Sequence, residues 1–396
     1  MKGMGRWLAL ALAAAGAVGL AGCSGVVETS WSPDGKRIAY GTGGKLRVYE
    51  VATKQSKALA AEEAGVLAPS WSPDGKEIAF YSVTWGEKGA VALRVVNPET
   101  GKVRTLASEV WFVPREVEAA KIEAGQTSDE ALHQAQQDAV AGLMYCAAVS
   151  WSPDGGRLVC TAASESAGRV LLINCKSGEV KTILEGPQAI VTAAWSPDGA
   201  QLAYVRGPTT PNEMLGEVAK DDKPTAEPKE RATLWVYTVA TEAESKVCEL
   251  PKGDYALGTR LEWSGDSKEI GFVVSDPENE DRAIGCVVAA KPGAPVREEV
   301  RGLTQEAAWA PGLKGLAFVE PREKTGPVLI YRGVTPRTRR ALGELPRATP
   351  GEEEVQSESS SDSSEHSLPT FSRDGRRIAL RVGSEEAPQI AVFEVP

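Results

Sequence analysis

The stretch SWSPDGKRIAY, residues 30–40, is the main indication of the fold because the chain repeats it. Each further copy keeps an aromatic or tryptophan anchor, a short polar turn and an apolar run. They begin at Ser70 (SWSPDGKEIAF), Ser150 (SWSPDGGRLVC), Ala194 (AWSPDGAQLAY), Glu262 (EWSGDSKEIGF), Ala308 (AWAPGLKGLAF) and Thr370 (TFSRDGRRIAL). Seven copies indicate either a chemical site that is used repeatedly or one corner of a repeated architecture.

The residue types in the motif favour the second interpretation, a turn at one corner of a repeated architecture. Pro33 fixes φ at about −65°, Asp34 suits the next turn position, and Gly35 tolerates the left-handed conformation. We therefore predict a type I turn that closes a three-residue hairpin loop between two strands. The alternative, in which each aspartate is a metal ligand or a catalytic acid, is disfavoured because the copy at Ala308 has no aspartate.

The aromatic residue of each copy is predicted to pack between neighbouring sheets as a core anchor. These structural anchors are Trp31, Trp71, Trp151, Trp195, Trp263, Trp309 and Phe371, with the turn acids Asp34, Asp74, Asp154 and Asp198. Successive aromatic positions lie 40, 80, 44, 68, 46 and 62 residues apart. A four-stranded propeller blade takes about 40–45 residues, so three spacings fit one blade each.

The three longer spacings each contain one non-repeating insertion. Residues 108–143 are helical in pattern, residues 207–231 are rich in Pro and Lys, and residues 346–366 form a Ser- and Glu-rich loop that we expect to be disordered. The sequence therefore predicts an all-β fold, a seven-bladed β-propeller of four-stranded antiparallel blades with a short helical insertion. Six or eight blades stay open, because the last blade has only three strands in sequence unless the residues after Cys23 supply the fourth.

The repeat resembles that of the TolB-type β-propeller, in which Trp-Ser-Pro-Asp-Gly precedes Ile-Ala-Tyr or Ile-Ala-Phe; the propellers of prolyl-oligopeptidase-like enzymes carry a similar repeat. The resemblance covers residues 23–396 and implies a propeller. It departs from TolB, which has an N-terminal α/β domain and no lipid, so a role in the Tol–Pal system does not follow.

The N-terminus has the pattern of an export signal. Lys2 and Arg6 precede an apolar run over residues 7–20, and Leu-Ala-Gly-Cys ends at Cys23. This ending resembles a bacterial lipobox, which implies cleavage after residue 22 and a lipid on Cys23; a simple secretory signal or an N-terminal membrane anchor is the alternative. We expect an exported, lipid-anchored chain that faces the periplasm or the cell exterior.

Net charge and cysteine spacing limit the partners and ligands that the chain is expected to bind. The net charge of −10 disfavours nucleic acid, which requires clustered Lys and Arg. Cys146, Cys160 and Cys175 fall in one repeat, so a disulfide from Cys160 to Cys175 or to Cys146 is predicted, with buried free thiols as an equal alternative. No cysteine spacing matches a metal-binding motif. We expect no cofactor, no metal and a monomer.

Strand order places the insertions on one side of the disc. The repeated corners are turns between first and second strands, whereas the insertions are crossovers between blades or loops between second and third strands. That opposite side also receives Trp85, Trp111, Phe112 and the acidic loop 275–282, which is a solvated loop or a calcium site. Trp85, Trp111 and Phe112 are the predicted partner-binding residues, the alternative being that they pack the insertion itself.

The chain offers little material for catalysis. Its two histidines are His133 and His366, and Gly-x-Ser-x-Gly is absent after the signal region. We therefore predict that the protein is not an enzyme but a lipid-anchored scaffold that binds an envelope protein or peptide. The alternative is a propeller enzyme, or a small-ligand or glycan-binding protein, that uses the central channel.

Overall fold

A computed structural model describes residues 29–42, 44–61, 65–84, 90–111, 148–163, 167–207, 231–251, 260–322, 326–346, 366–383 and 388–395. These residues form seven antiparallel sheets arranged as the blades of a propeller. The predicted count of seven blades is confirmed, and the alternatives of six and eight blades are wrong. Six blades have four strands each, and the described residues of the seventh form three.

Within each blade the strands follow one another in chain order from the centre of the disc outward. Blades 1 to 4 contain β1 (Thr29–Trp31), β2 (Arg37–Thr42), β3 (Lys45–Glu50), β4 (Gln55–Ala61), β5 (Gly65–Trp71), β6 (Ile78–Thr84), β7 (Ala90–Val96), β8 (Val103–Trp111), β9 (Val149–Trp151), β10 (Arg157–Ala163), β11 (Gly168–Asn174), β12 (Val180–Gly186), β13 (Ile190–Trp195), β14 (Gln201–Arg206), β15 (Thr233–Thr238) and β16 (Ala243–Glu249). Blades 5 to 7 contain β17 (Glu262–Trp263), β18 (Glu269–Asp276), β19 (Asn279–Ala289), β20 (Arg297–Leu303), β21 (Ala308–Trp309), β22 (Gly315–Glu320), β23 (Val328–Gly333), β24 (Thr338–Glu344), β25 (Thr370–Phe371), β26 (Arg377–Val382) and β27 (Gln389–Glu394).

The core lies between the blades. Apolar side chains on both faces of each sheet pack against the next sheet, because a blade in the ring has a neighbour on either side. Tyr81, Phe80, Phe272 and Phe318 are fully buried in these layers. The only helical element in the described ranges is the 3-10 turn Pro311–Leu313 at the corner of blade 6.

The repeated corner differs from the predicted three-residue loop. Ser32 N donates to Arg37 O at 2.8 Å, and Gly35 N donates to Ser32 O at 2.8 Å. Four residues, 33–36, therefore turn the chain, and the three-residue prediction is wrong. Ser32 causes the difference: its Oγ accepts from Arg37 N at 2.9 Å and takes the place of a backbone acceptor. Gly35 has φ of 66°, the left-handed conformation that glycine adopts without strain.

Several predicted segments lie outside the described residues, namely the signal 1–22, Cys23, and nearly all of the three insertions. Residues 108–111, which were assigned to the helical insertion, belong to β8. The strand continues there because Val91 on β7 pairs with Trp111. At the end of the third insertion, His366 forms an isolated bridge with Val382.

Candidate functional site

The motif acids are held inside their own corners. In six of the seven copies, the serine Oγ donates to the aspartate Oδ1 at 2.5–2.8 Å, and a backbone N–H two residues beyond the aspartate donates to the same oxygen at 3.0–3.3 Å. The hydrogen bond from Ser152 is the main cause that lowers the pKa of Asp154. The carboxylates therefore shape turns, and within the described ranges no three His, Cys, Asp or Glu side chains are grouped to hold a metal ion.

The aromatic anchors connect each blade to the one before it. Three indole N–H groups donate to the backbone carbonyl that precedes the previous anchor: Trp31 to Thr370 at 2.9 Å, Trp151 to Ser70 at 3.0 Å and Trp263 to Ala194 at 3.3 Å. An arginine of the preceding blade covers three of the rings: Arg37 over Trp71, Arg157 over Trp195 and Arg377 over Trp31. The repeat is thus used for contacts between blades.

Blade 6 compensates for its incomplete corner. It has Ala310 and Gly312 where the other copies have serine and aspartate, and Gly312 N donates to Glu262 Oε1 of blade 5 at 3.2 Å. Glu262 lies on the innermost strand of its blade, at the position that Ser30 and Ser70 occupy elsewhere. Burial is the main cause that raises the pKa of Glu262 to about 7. A carboxyl group between blades 5 and 6 is therefore partly protonated near neutral pH.

We call the side with the repeated corners the corner face and the opposite side the crossover face. The bounds of the strands put every long connection on the crossover face: β8 to β9, β14 to β15 and β24 to β25. The β6 to β7 loop and the β18 to β19 turn are on the same side. Trp85 and Phe112 lie outside the described residues, and Trp111 is placed as the last residue of β8.

The acidic loop contains a carboxylate with a partner. Asp276 is buried, accepts from Glu278 N at 3.0 Å, and its Oδ2 lies 3.4 Å from Arg301 Nη1. Arg301 also pairs with Glu278 and Glu298. Since an arginine already neutralises this group, the arrangement is that of an ion-pair network at the end of blade 5.

A polar and aromatic cluster at the side of blade 4 was not predicted. Arg206 Cζ lies 4.4 Å from the ring centroid of Trp235 and pairs with Glu244, to which Tyr204 Oη donates at 2.6 Å. The rings of Tyr204 and Trp235 stack at 6.5 Å. Tyr204 and Trp235 are partners on neighbouring strands, so the alternation of side chains along the strands puts both on one face of the sheet. Nothing in the sequence near Arg206 indicated that its side chain would reach Glu244 on the fourth strand.

The cysteine thiols and the histidine in the described ranges show no arrangement of a reactive site. Cys160, Cys175, Cys248 and Cys286 are free thiols, so the predicted bridge between Cys160 and Cys175 is wrong and free thiols are correct for this pair. Burial raises the pKa of Cys160 to about 12. His366 Nε2 lies 3.4 Å from Glu306 Oε2; His133 and Cys146 lie outside the described residues.

No helix in the described ranges has the length and hydropathy needed to cross a membrane.

Solved structures share the fold at low sequence identity. An oligogalacturonate lyase from Vibrio parahaemolyticus is 11% identical, with a TM-score of 0.59 over 94% of this chain and 92% of that one. An oligogalacturonate lyase in complex with manganese is 13% identical, with a TM-score of 0.57 over 93% and 88%. The likeness extends to the fold alone.

TolB from Acinetobacter baumannii is also similar, at 16% identity and a TM-score of 0.47. The match covers 81% of this chain and 64% of that TolB, so this chain spans less than two thirds of its length. No protein-family profile matches the sequence, and no curated protein matches it.

Proposed function

We propose that the chain is a TolB-like, lipid-anchored β-propeller that acts as a protein-binding scaffold in the bacterial cell envelope and has no catalytic activity. The observation that carries this proposal is the separation of the two faces. The corner face is built from short turns whose polar groups bond one another, whereas all long connections leave from the crossover face. Long excursions from one side of a rigid scaffold are where binding residues concentrate.

The anchor follows from the sequence around Cys23. The lipobox pattern at residues 20–23 supports export and lipidation, and Cys23 precedes the first strand by only five intervening residues. β1 begins on the crossover face, so a lipid at Cys23 holds that face near the membrane. The partner is therefore expected to be an envelope protein or peptide, with one propeller per anchor.

The test is co-purification of the lipidated protein with its partner after crosslinking in cells. Substitution of Trp85, Trp111 and Phe112 by alanine should remove the partner. Val180→Ala is the matched control, because Val180 is an exposed apolar residue, 42% accessible, beside a turn of the corner face. Equal recovery of a partner by both variants, or no partner with the native chain, would contradict the proposal.

A second candidate is favoured by Glu262. This carboxyl group, which lies on the innermost strand of blade 5 and contacts the corner of blade 6, has a pKa of about 7, the property of a general acid or base. In this case the protein is an enzyme, or a small-ligand or glycan binder, that works on the propeller axis. Thermal-shift screens with divalent metals and oligosaccharides test it, since a hit must be lost in Glu262→Gln.

A further inference from the structure

The outer edge of blade 7 differs from that of every other blade. The described residues place β27 at the rim, where the six other blades have a fourth strand outside the third. A strand at the edge of a sheet presents unpaired N–H and C=O groups that accept another strand. The question is which chain segment pairs with β27.

Burial along the third strands distinguishes blade 7 from the other blades in the part of the chain that the structure describes. On each third strand, one residue pairs with the second-strand residue that lies ten positions after the aromatic anchor. In five blades this residue is apolar, faces the next blade and is at most 1% exposed: Leu46, Leu93, Val170, Leu234 and Leu329. Ile390 occupies this position in blade 7, where it pairs with Arg381, and it is only partly buried. Val392 and Phe393 are partly buried as well.

The spacing of the complete blades tests whether the N-terminal segment can fill the gap. The shortest interval from the end of a fourth strand to the next anchor is six residues, from Leu303 to Trp309, and fourth strands have seven residues or more. Applied to Trp31, this interval puts a seven-residue fourth strand at residues 19–25. A chain that begins at Cys23 retains three of those residues.

A second copy of the protein fits the edge poorly. Antiparallel pairing of two β27 strands about a two-fold axis turns the crossover faces of the two discs in opposite directions. With the lipid on Cys23, only five residues separate each anchor from β1, so the two anchors would point away from each other. One membrane cannot receive both.

We propose that β27 accepts an extended segment of another envelope protein as the fourth strand of blade 7, by strand addition to the open edge. This inference rests on the proposed lipidation of Cys23. The bound strand runs antiparallel to β27, from the corner face to the crossover face, as the fourth strands of the other blades do.

The complete blades also specify the chemistry of this strand. Opposite the buried register position, fourth strands carry small or apolar residues: Ala107, Leu184, Cys248 and Gly343. The segment therefore places a small or apolar residue opposite Ile390. Arg340 on β24 is exposed and, among the described residues, has no ion pair; it pairs in register with Tyr331, whose ring lies 6.3 Å from Phe371 of blade 7. A carboxylate in the bound strand matches this guanidinium.

The first test measures hydrogen exchange in the purified full-length protein, with a graft as the probe. Val395 N donates to Arg376 O as Cys175 N donates to Gly156 O in blade 3, so a copy of residues 176–186 placed after Val395 supplies a matching turn and strand. The control is the same graft with proline at the positions of Thr182 and Leu184, which cannot pair. We expect rapid exchange of the edge amides of β27 in the native chain and in the control, and exchange slower by at least about tenfold in the graft. Slow exchange in the native chain would show that its own residues fill the edge, which overturns the proposal.

The second test identifies the segment. A photo-reactive amino acid at Gln389, an exposed residue of β27, should crosslink in cells to an extended segment of another protein. A synthetic peptide of that segment should bind the native protein and not the grafted one. Crosslinks to a second copy or within the chain, no crosslink, or equal binding to the graft each contradict the proposal. The mass of the N-terminal peptide reports lipidation separately, and binding through residues 116–143 is measured independently, so the two proposals fail in distinguishable ways.

Discussion

The guanidinium of Arg377 lies 5.2 Å from the ring centroid of Trp31, and this contact joins the last blade to the first. Trp31 Nε1 donates to Thr370 O across the same seam at 2.9 Å, and the hydroxyls of Thr29 and Thr370 share a buried hydrogen bond. The seam uses the same chemistry as the junctions within the chain. Among the residues that the structure describes, blade 7 and blade 1 share no sheet, and these side-chain contacts join them.

Removal of the Arg377 side chain should loosen this seam. Arg377→Ala loses a cation–π contact of about 0.5–1 kcal/mol, and we expect faster hydrogen exchange in β1 and β25. Arg157→Ala is the matched control, because Arg157 covers Trp195 at 4.9 Å between two blades that the chain already links. An equal change in exchange at the β1 and β25 amides in the two variants would show that Arg377 does not close the ring.

The protonation of Glu262 should make stability depend on pH. Its pKa rises from 4.5 to about 7, so the folded state binds a proton more tightly than the unfolded state. The stabilisation is full below pH 4.5 and is lost as pH rises through 7; at roughly 1.4 kcal/mol per pKa unit the ionised form costs about 3 kcal/mol. Glu262→Gln should therefore raise the free energy of unfolding at pH 8 and leave it unchanged near pH 4. A difference that does not vary with pH would contradict this.

The corner acids should affect stability and not binding. Asp198→Ala removes the acceptor of Ser196 Oγ and of Ala200 N, so we expect a loss of about 1 kcal/mol in the free energy of unfolding, with Asp198→Asn intermediate. The hydrogen bond from Ser196 lowers the pKa of Asp198. The loss should therefore shrink as pH falls below the ordinary value of 3.8. A folded Asp198→Ala protein that no longer binds its partner would instead assign the motif to a binding site.

The sequence predicted the blades because each depends on short-range signals. Trp31, Pro33 and Gly35 encode an anchor and a turn within five residues. Phe371 fits the anchor position although it is only partly buried, because the indole N–H is not required there: those of Trp71 and Trp195 have no hydrogen-bond partner among the described residues. The four-residue loop was missed because the hydroxyl of Ser32 accepts a backbone hydrogen bond, which composition does not reveal. The Arg206–Glu244 pair and the Glu262–Gly312 contact depend on residues that only the folded sheets bring together.

A partner that binds the crossover face should be lost when residues 116–143 of the first insertion are deleted. The native protein is purified quantitatively from the cells that produce it, beside a variant that lacks residues 116–143 and beside Val180→Ala. We expect a near-stoichiometric partner with the native chain and with Val180→Ala, and its loss with the deletion while the propeller stays folded. Retention of the partner by a folded deletion variant, or no partner in any sample, would contradict the claim.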